Sequence, residues 1–323
     1  MGASRCARCS RSSRSASARR ATTRRRAARA RLDPPSGAAV GCPPRFTRRL
    51  SNMKDAHLYT LDGWALVLGA SSGFGEATSI ALARAGMNII GVHLDRRAGM
   101  AHVEEIKRAI QDAGREALFF NVNAADETKR NETLDEVKRQ LDAKGGKIRV
   151  LLHSLAFGTL KPYWSGAEDP ASNINKANMD MTLDVMAHSL VYWTQDTLRR
   201  GLFGDDARIY GMTSAGNTTV WSGYGAVSAA KCALESHLRQ LAIELAPHGI
   251  SANAIEAGVT DTPALSKIPG SDVMKQQAIA RNPNKRLTTV QDVAQCIVAL
   301  SMPATRWMTG NVIRVDGGEK IAG

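Results

Sequence analysis

A doubly wound α/β domain, a parallel sheet covered by helices on both faces, is the fold the sequence predicts for residues 53 to 323. Three observations lead to it. Short apolar runs alternate with segments of helical apolar spacing along that whole stretch. The runs are apolar nearly throughout, as strands covered on both sides require. A glycine-rich turn joins the first run to the first helical segment.

The elements follow in order. From Trp64, "WALVLG" is a strand stopped by glycine, and "EATSIALARAG" is a helix that ends at Gly86. "MNIIGVHL" is a second buried strand, "MAHVEEIKRAIQDAG" a helix stopped by Gly114, and "EALFFNV" a third strand. "ETLDEVKRQLDAKGG" is again helical, "IRVLLHSLAFG" is the fourth strand, and "MDMTLDVMAHSLVYWTQDTLRR" is one long helix. "ARIYGMTS" is the fifth strand, residues 226 to 246 form a helix that ends before Pro247, and "GISANAIEAG" is the sixth strand. A short strand near "GNVIRVDGG" closes the chain, and neither an internal repeat nor a linker divides this single domain.

Residues 1 to 52 are of another kind. Fourteen arginines against one acid, Asp33, in the first fifty residues account for the whole formal net charge of +13, so the rest of the chain is formally neutral. With no sustained hydrophobic period the segment is expected to be a disordered basic tail. Its composition fits an organelle transit peptide, a nucleic-acid-binding arm, or an upstream extension of a reading frame that starts at Met53. Cys6 and Cys9 form a lone CxxC without a partner pair, and the other cysteines are widely spaced, which argues against a zinc site or a disulfide framework. No metal is expected. The chain also lacks a run of the roughly 20 apolar residues that a membrane helix needs. A cytoplasmic protein without membrane contact is therefore expected, or an organellar one if the tail is a transit peptide, and the folded domain is not expected to bind nucleic acid.

Ligands in such folds sit beyond the carboxyl ends of the strands. The first strand end carries "LGASSGFGEA", in which Gly69, Gly73 and Gly75 let the backbone approach a pyrophosphate whose charge meets amides at the helix start. Ser71, Ser72 and Phe74 complete this turn. The GxxxGxG spacing, together with "RNPNKRLTTVQDVAQCIVAL" and "TGNVIRVDGG" near the C-terminus, resembles the short-chain dehydrogenase/reductase family, which implies a Rossmann fold and a nicotinamide dinucleotide.

"LDRR" ends the second strand. Asp95 suits the ribose hydroxyls of NAD, whereas Arg96 and Arg97 suit the extra phosphate of NADP. The paired arginines favour NADPH, with NADH as the alternative. By the family's pattern, Asn121 and Val122 stand where the adenine is contacted.

Tyr224 and Lys231, in "SGYGAVSAAK", have six residues between them. In most family members the catalytic tyrosine precedes the lysine by four positions. That position here is Val227, while Ser214 stands where the family's serine is found. Seven residues are about two helical turns, so Tyr224 shares a face with Lys231 if both are helical but lies farther along it. This Tyr-x6-Lys pattern resembles the enoyl-acyl-carrier-protein reductases, which reduce a double bond conjugated to a thioester. The resemblance implies that Tyr224 stabilises an enolate oxygen and that Lys231 binds the nicotinamide ribose and, as a nearby cation, favours charge on the phenol. "LHSLAFG" is similar to the same group, with Ser154, Leu155 and Ala156 near the cofactor, and so is "EAGVTDT", where Ala257 precedes Gly258. Thr260 would meet the carboxamide and Thr262 a phosphate. Met186 replaces the helix asparagine of typical ketoreductases. Many bacterial enoyl reductases have a modified glycine motif and a second tyrosine ten residues upstream, whereas this chain keeps the ordinary motif and has Ser214 there. Glu256 beside this pocket is unusual.

On the substrate side, "TLKPYWSGAEDP" and "PALSKIPGSDVMKQQAIA" are long connections of the kind that cover such sites. Phe157, Tyr163, Trp164, Leu265, Ile268 and Met274 are candidates for an acyl slot, or else packing anchors. Lys267, Lys275 and Arg281 are candidates for docking an acidic acyl-carrier protein, or scattered surface charge. Four functions are open: NAD(P)H-dependent reduction of the double bond of an enoyl thioester, on acyl-carrier protein or as another acyl thioester substrate; carbonyl or hydroxysteroid-type reduction; dinucleotide binding without turnover; and nucleic-acid binding through the tail. The family resemblance also implies a homotetramer.

Overall fold

Strands buried on both faces need a neighbour on each side, and the chain supplies them in one seven-stranded parallel sheet of order β3-β2-β1-β4-β5-β6-β7. The computed structural model describes residues 60–322. The expectations for the basic tail, its cysteine pair and a start at Met53 lie outside the described residues. The strands are β1 (Trp64–Leu68), β2 (Asn88–His93), β3 (Ala117–Asn121), β4 (Ile148–His153), β5 (Phe203–Ser214), β6 (Ser251–Ala257) and β7 (Val312–Val315). Between them run α1 (Gly73–Arg84), α2 (Met100–Asp112), α3 (Glu127–Lys144), α4 (Lys176–Leu183), α5 (Ser189–Arg199), α6 (Gly225–Glu244), α7 (Ser271–Arg281) and α8 (Val290–Leu300).

The alternation of side chains along each strand divides the core in two. On one face Leu66, Leu68, Leu151 and Ile209 meet Leu134 of α3, Trp193 of α5 and Leu238 of α6. On the other, Val67, Leu152 and Tyr210 meet Leu82 of α1, Ile106 of α2 and Ile297 of α8. Each such fully buried aliphatic side chain contributes roughly 1.5–3 kcal/mol of transfer free energy. The winding direction of the sheet reverses between β1 and β4, and a crevice opens there at the carboxyl ends of the strands.

The structure corrects three of the predicted elements. The fourth strand stops at His153 instead of continuing through "SLAFG"; β1 ends opposite it at Leu68, and the pairing with β5 also ends there, at Gly211. The long helix is interrupted by a π-helical segment, Asp184–His188, that separates α4 from α5. Ser189 Oγ donates to Val185 O at 2.8 Å and lies 2.9 Å from His153 Nε2, so side-chain bonds gather where the helix widens. The connection after β6 contains α7, a helix that buries only Ala278 and therefore shows no wide apolar face in its sequence. Among the described residues, no helix is long and apolar enough to cross a membrane, and no group of three or more candidate ligands could hold a metal ion.

Candidate active site

A cleft of about 380 Å³ lies at the carboxyl ends of β1, β4, β5 and β6, with the start of α6 on one side and α7 on the other. Ser72, Gly73 and Phe74 from the first turn line it, as do Ser154, Leu155 and Ala156 from the turn after β4. Gly258, Thr260 and Thr262 come from the connection after β6. The sequence had singled out all nine.

Two glycines shape the first turn from behind. Gly69 has φ +90°, and a Cβ on it would stand 2.5 Å from Ser154 O, while a Cβ on Gly75 would stand 2.0 Å from Gly69 O. No larger residue fits either position without moving backbone. Ser72 is the N-cap of α1, yet its side chain makes no capping bond. The amides of the first turn are therefore left for a ligand, and an anion suits them. This geometry fits the pyrophosphate of a dinucleotide.

At the next two strand ends the arginines and the acid part company. Arg96 and Arg97 are exposed, and neither makes an ion pair among the described residues. The side chain of Asn121, expected near an adenine, is engaged elsewhere: it accepts from Asp95 N at 3.0 Å and donates to Asp95 O at 2.9 Å. Val122 N donates to His93 O at 2.8 Å. Asn121 thus acts first as a brace for the end of β2.

Tyr224 is the N-cap residue of α6 and Lys231 lies within the helix. The phenol oxygen is 3.3 Å from Ser214 Oγ, and the ring leans on Gly216, where a Cβ would come within 2.4 Å of it. Burial raises the phenol above its usual pKa and the Ser214 hydrogen bond opposes this, so Tyr224 stays a proton donor at neutral pH. Lys231 is buried. Its ammonium donates to Met212 O at 2.7 Å, tied to the β5 backbone, and burial lowers it to about 8 against the raising effect of Glu235. His153 is pushed down to about 3, by burial first and then by Lys231, and is neutral.

Behind the tyrosine is a polar network that joins residues far apart in the chain. Asn217 Nδ2 donates to Glu235 Oε1 at 2.6 Å and to Glu256 Oε2 at 3.4 Å, and Thr213 Oγ1 also donates to Glu235 Oε1. Lys320 Nζ donates to Glu256 Oε2 at 2.8 Å. Arg314 Nε approaches Glu256 Oε1 to 3.3 Å as an ion pair without hydrogen-bond alignment. Glu256, flagged by the sequence as unusual, is thus a buried structural acid opposite Arg314 in the β6–β7 register. The Glu256→Gln variant is expected to lose about 1–3 kcal/mol of stability, since a buried charge partner is removed while shape is kept. Urea unfolding would read this as a lower midpoint at unchanged slope; an unchanged midpoint would remove Glu256 from the stabilising network.

Of the expected substrate residues, Phe157, Leu265, Ile268 and Met274 line the cleft. Tyr163 and Trp164 do not. Tyr163 packs over Gly225, where a Cβ would stand 2.6 Å from its ring, and Trp164 is 79% exposed, because the turn after Pro162 carries both outward. Leu160, Met186, Met212, Val227 and Trp221 supply apolar wall that the sequence did not assign to substrate, and the π-helical segment carries Met186 into place. Glu319, also missed, lines the cleft and accepts from Val259 N at 3.1 Å, bracing the connection after β6. An acid so close to the chain end gave no periodic signal. At the rim Lys275 pairs with Asp261 and Asp272, and Arg281 with Glu319, while Lys267 is exposed.

Residues 69–320 match the family model described as enoyl-(acyl carrier protein) reductase. The chain is 29% identical over 193 residues to the NADH-dependent enoyl-[acyl-carrier-protein] reductase FabI of Aquifex aeolicus, covering 60% of this chain and 70% of that one. It is 27% identical over 254 residues to cis-4-hydroxycyclohexanecarboxylate dehydrogenase of Sinomonas cyclohexanicum, covering 79% and 95%. The crystal structure of the Aquifex aeolicus VF5 enoyl-[acyl-carrier-protein] reductase superposes with a TM-score of 0.67 at 23% identity, over 81% of this chain and 97% of that one.

Proposed function

Because the chain belongs to the enoyl-(acyl carrier protein) reductase family of short-chain dehydrogenase/reductases, oxidoreductases with a nicotinamide-dinucleotide-binding fold, we propose that it reduces the trans-2 double bond of enoyl-acyl-carrier-protein thioesters. The observation that carries this reading is the place of Tyr224. Its phenol stands at the head of α6, beside an apolar wall of Met186, Val227 and Leu160 that suits an acyl chain. When bound, the reduced nicotinamide supplies a hydride to the β carbon. The α carbon then takes up a proton from solvent, and the residues of the chain bind and polarise the substrate. Tyr224 donates a hydrogen bond to the thioester oxygen as it gains enolate charge, a contact that strengthens in the transition state. Lys231 holds ribose hydroxyls, and the uncapped start of α1 holds the pyrophosphate. Arg96 and Arg97 meet a 2′-phosphate, which favours NADPH over NADH.

One observation favours a second reading. The Ser214 hydroxyl lies 3.3 Å from the phenol, and two such donors side by side suit the oxygen of a ketone being reduced. The test follows nicotinamide absorbance with a trans-2-enoyl thioester and a 3-ketoacyl thioester, each with NADPH and NADH. Oxidation with the enoyl substrate alone is the expected result. Turnover of the ketone alone would replace double-bond reduction by carbonyl reduction, and turnover of neither would leave a dinucleotide-binding protein.

A further inference from the structure

We propose that His93 sets the choice between the two nicotinamide dinucleotides by holding the Asp95 carboxylate away from the ribose. This inference rests on the reading of the cleft as a dinucleotide site. His93 is the last residue of β2, is 4% exposed, and lies tilted against the Phe119 ring of β3 at 6.0 Å between centroids. Its Nδ1 is 2.9 Å from Asp95 Oδ2. The other carboxylate oxygen lies over the chain at Gly99, where a Cβ would come within 2.9 Å of it. The two Asn121 bonds hold the Asp95 backbone from the far side. Backbone and carboxylate are therefore both fixed.

The consequence concerns what this strand end offers a nucleotide. A free carboxylate here would accept from ribose hydroxyls and repel a 2′-phosphate. With one oxygen bonded to a buried imidazole and the other packed on Gly99, the acid is held against the protein, its side chain only 27% exposed. The outward groups are the exposed side chains of Arg96 and Arg97, which suit a phosphate. His93 makes the local sequence "LDRR" read as basic although it contains an acid. It acts through Asp95 and is a positioning residue.

The test uses the full chain and measures affinity for NADPH and NADH separately by nicotinamide fluorescence, without any substrate. The wild type is expected to bind NADPH more tightly. The His93→Leu variant, which frees the carboxylate, is expected to lower the ratio of NADPH to NADH affinity about tenfold, the equivalent of about 1.4 kcal/mol. His93→Asn, which keeps a donor near the Nδ1 position, is expected to stay within about threefold of wild type on the same scale. Combining His93→Leu with Asp95→Ala is expected to restore the ratio, because no carboxylate remains to be freed. Three results overturn the proposal: a wild type that prefers NADH, an unchanged ratio in His93→Leu, or a double variant as impaired as His93→Leu. A purely structural role would weaken both cofactors equally in His93→Leu. If the wild type binds neither dinucleotide, the reading of the cleft fails with it, and that outcome is separate from an unchanged ratio.

Discussion

Tyr224→Phe is expected to lower kcat for the enoyl thioester by roughly a hundredfold to a thousandfold, the scale seen when one preorganised donor to a developing oxyanion is removed. Cofactor affinity should stay within about twofold of wild type, since in the proposed mechanism the phenol meets the substrate oxygen and Lys231, not Tyr224, holds the ribose. The substitution keeps the ring that packs on Gly216 and removes only the hydroxyl. Folding should therefore be little changed, because the hydroxyl has one partner, Ser214, at 3.3 Å. Single-turnover rates at saturating cofactor would measure the effect. A kcat within a few-fold of wild type would take the phenol out of the chemistry and leave Tyr224 as a packing residue at the start of α6.

The second large effect belongs to Lys231, through both substitution and pH. Lys231→Met keeps the apolar stem and removes the ammonium, and it is expected to weaken dinucleotide binding by about tenfold or more, the cost of losing a charge-assisted hydrogen bond. Burial holds the lysine near 8, so it is cationic below that pH and neutral above it. Dinucleotide affinity should accordingly fall as pH rises through about 8 in the wild type. In Lys231→Met that step should be missing. Titrations of the cofactor on either side of pH 8 would show whether both features are present. A methionine variant with wild-type affinity and the same pH profile would mean that Lys231 serves only to tie α6 to Met212.

Much of the cleft's first layer could be read from local patterns. Gly69, Gly73 and Gly75 lie at fixed spacing between a strand and a helix, and backbone clearance at such a turn is a local demand. The spacing of Tyr224 and Lys231 is also local, and the helix carries it directly into the cleft. Tyr163 and Trp164 were less legible, because their apolar character says that they pack but not against what. The same holds for Met186. It lies in the π-helical interruption of the helix, beside which Ser189 meets His153, 36 residues away in sequence.

The division between the two sources of information has a physical basis. Periodicity, glycine placement and charge distribution are properties of neighbouring residues. They suffice for a doubly wound parallel sheet, a dinucleotide turn and a displaced tyrosine, because helices and strands are built from short-range geometry. Partnerships across the fold obey no short-range rule. Asn217 meets Glu256 across 39 residues and Lys320 across 103, and Lys231 turns to a carbonyl of β5. Each of these contacts arises when strand order brings distant side chains into the same dry layer, where an unpaired charge is costly and the nearest partner is taken.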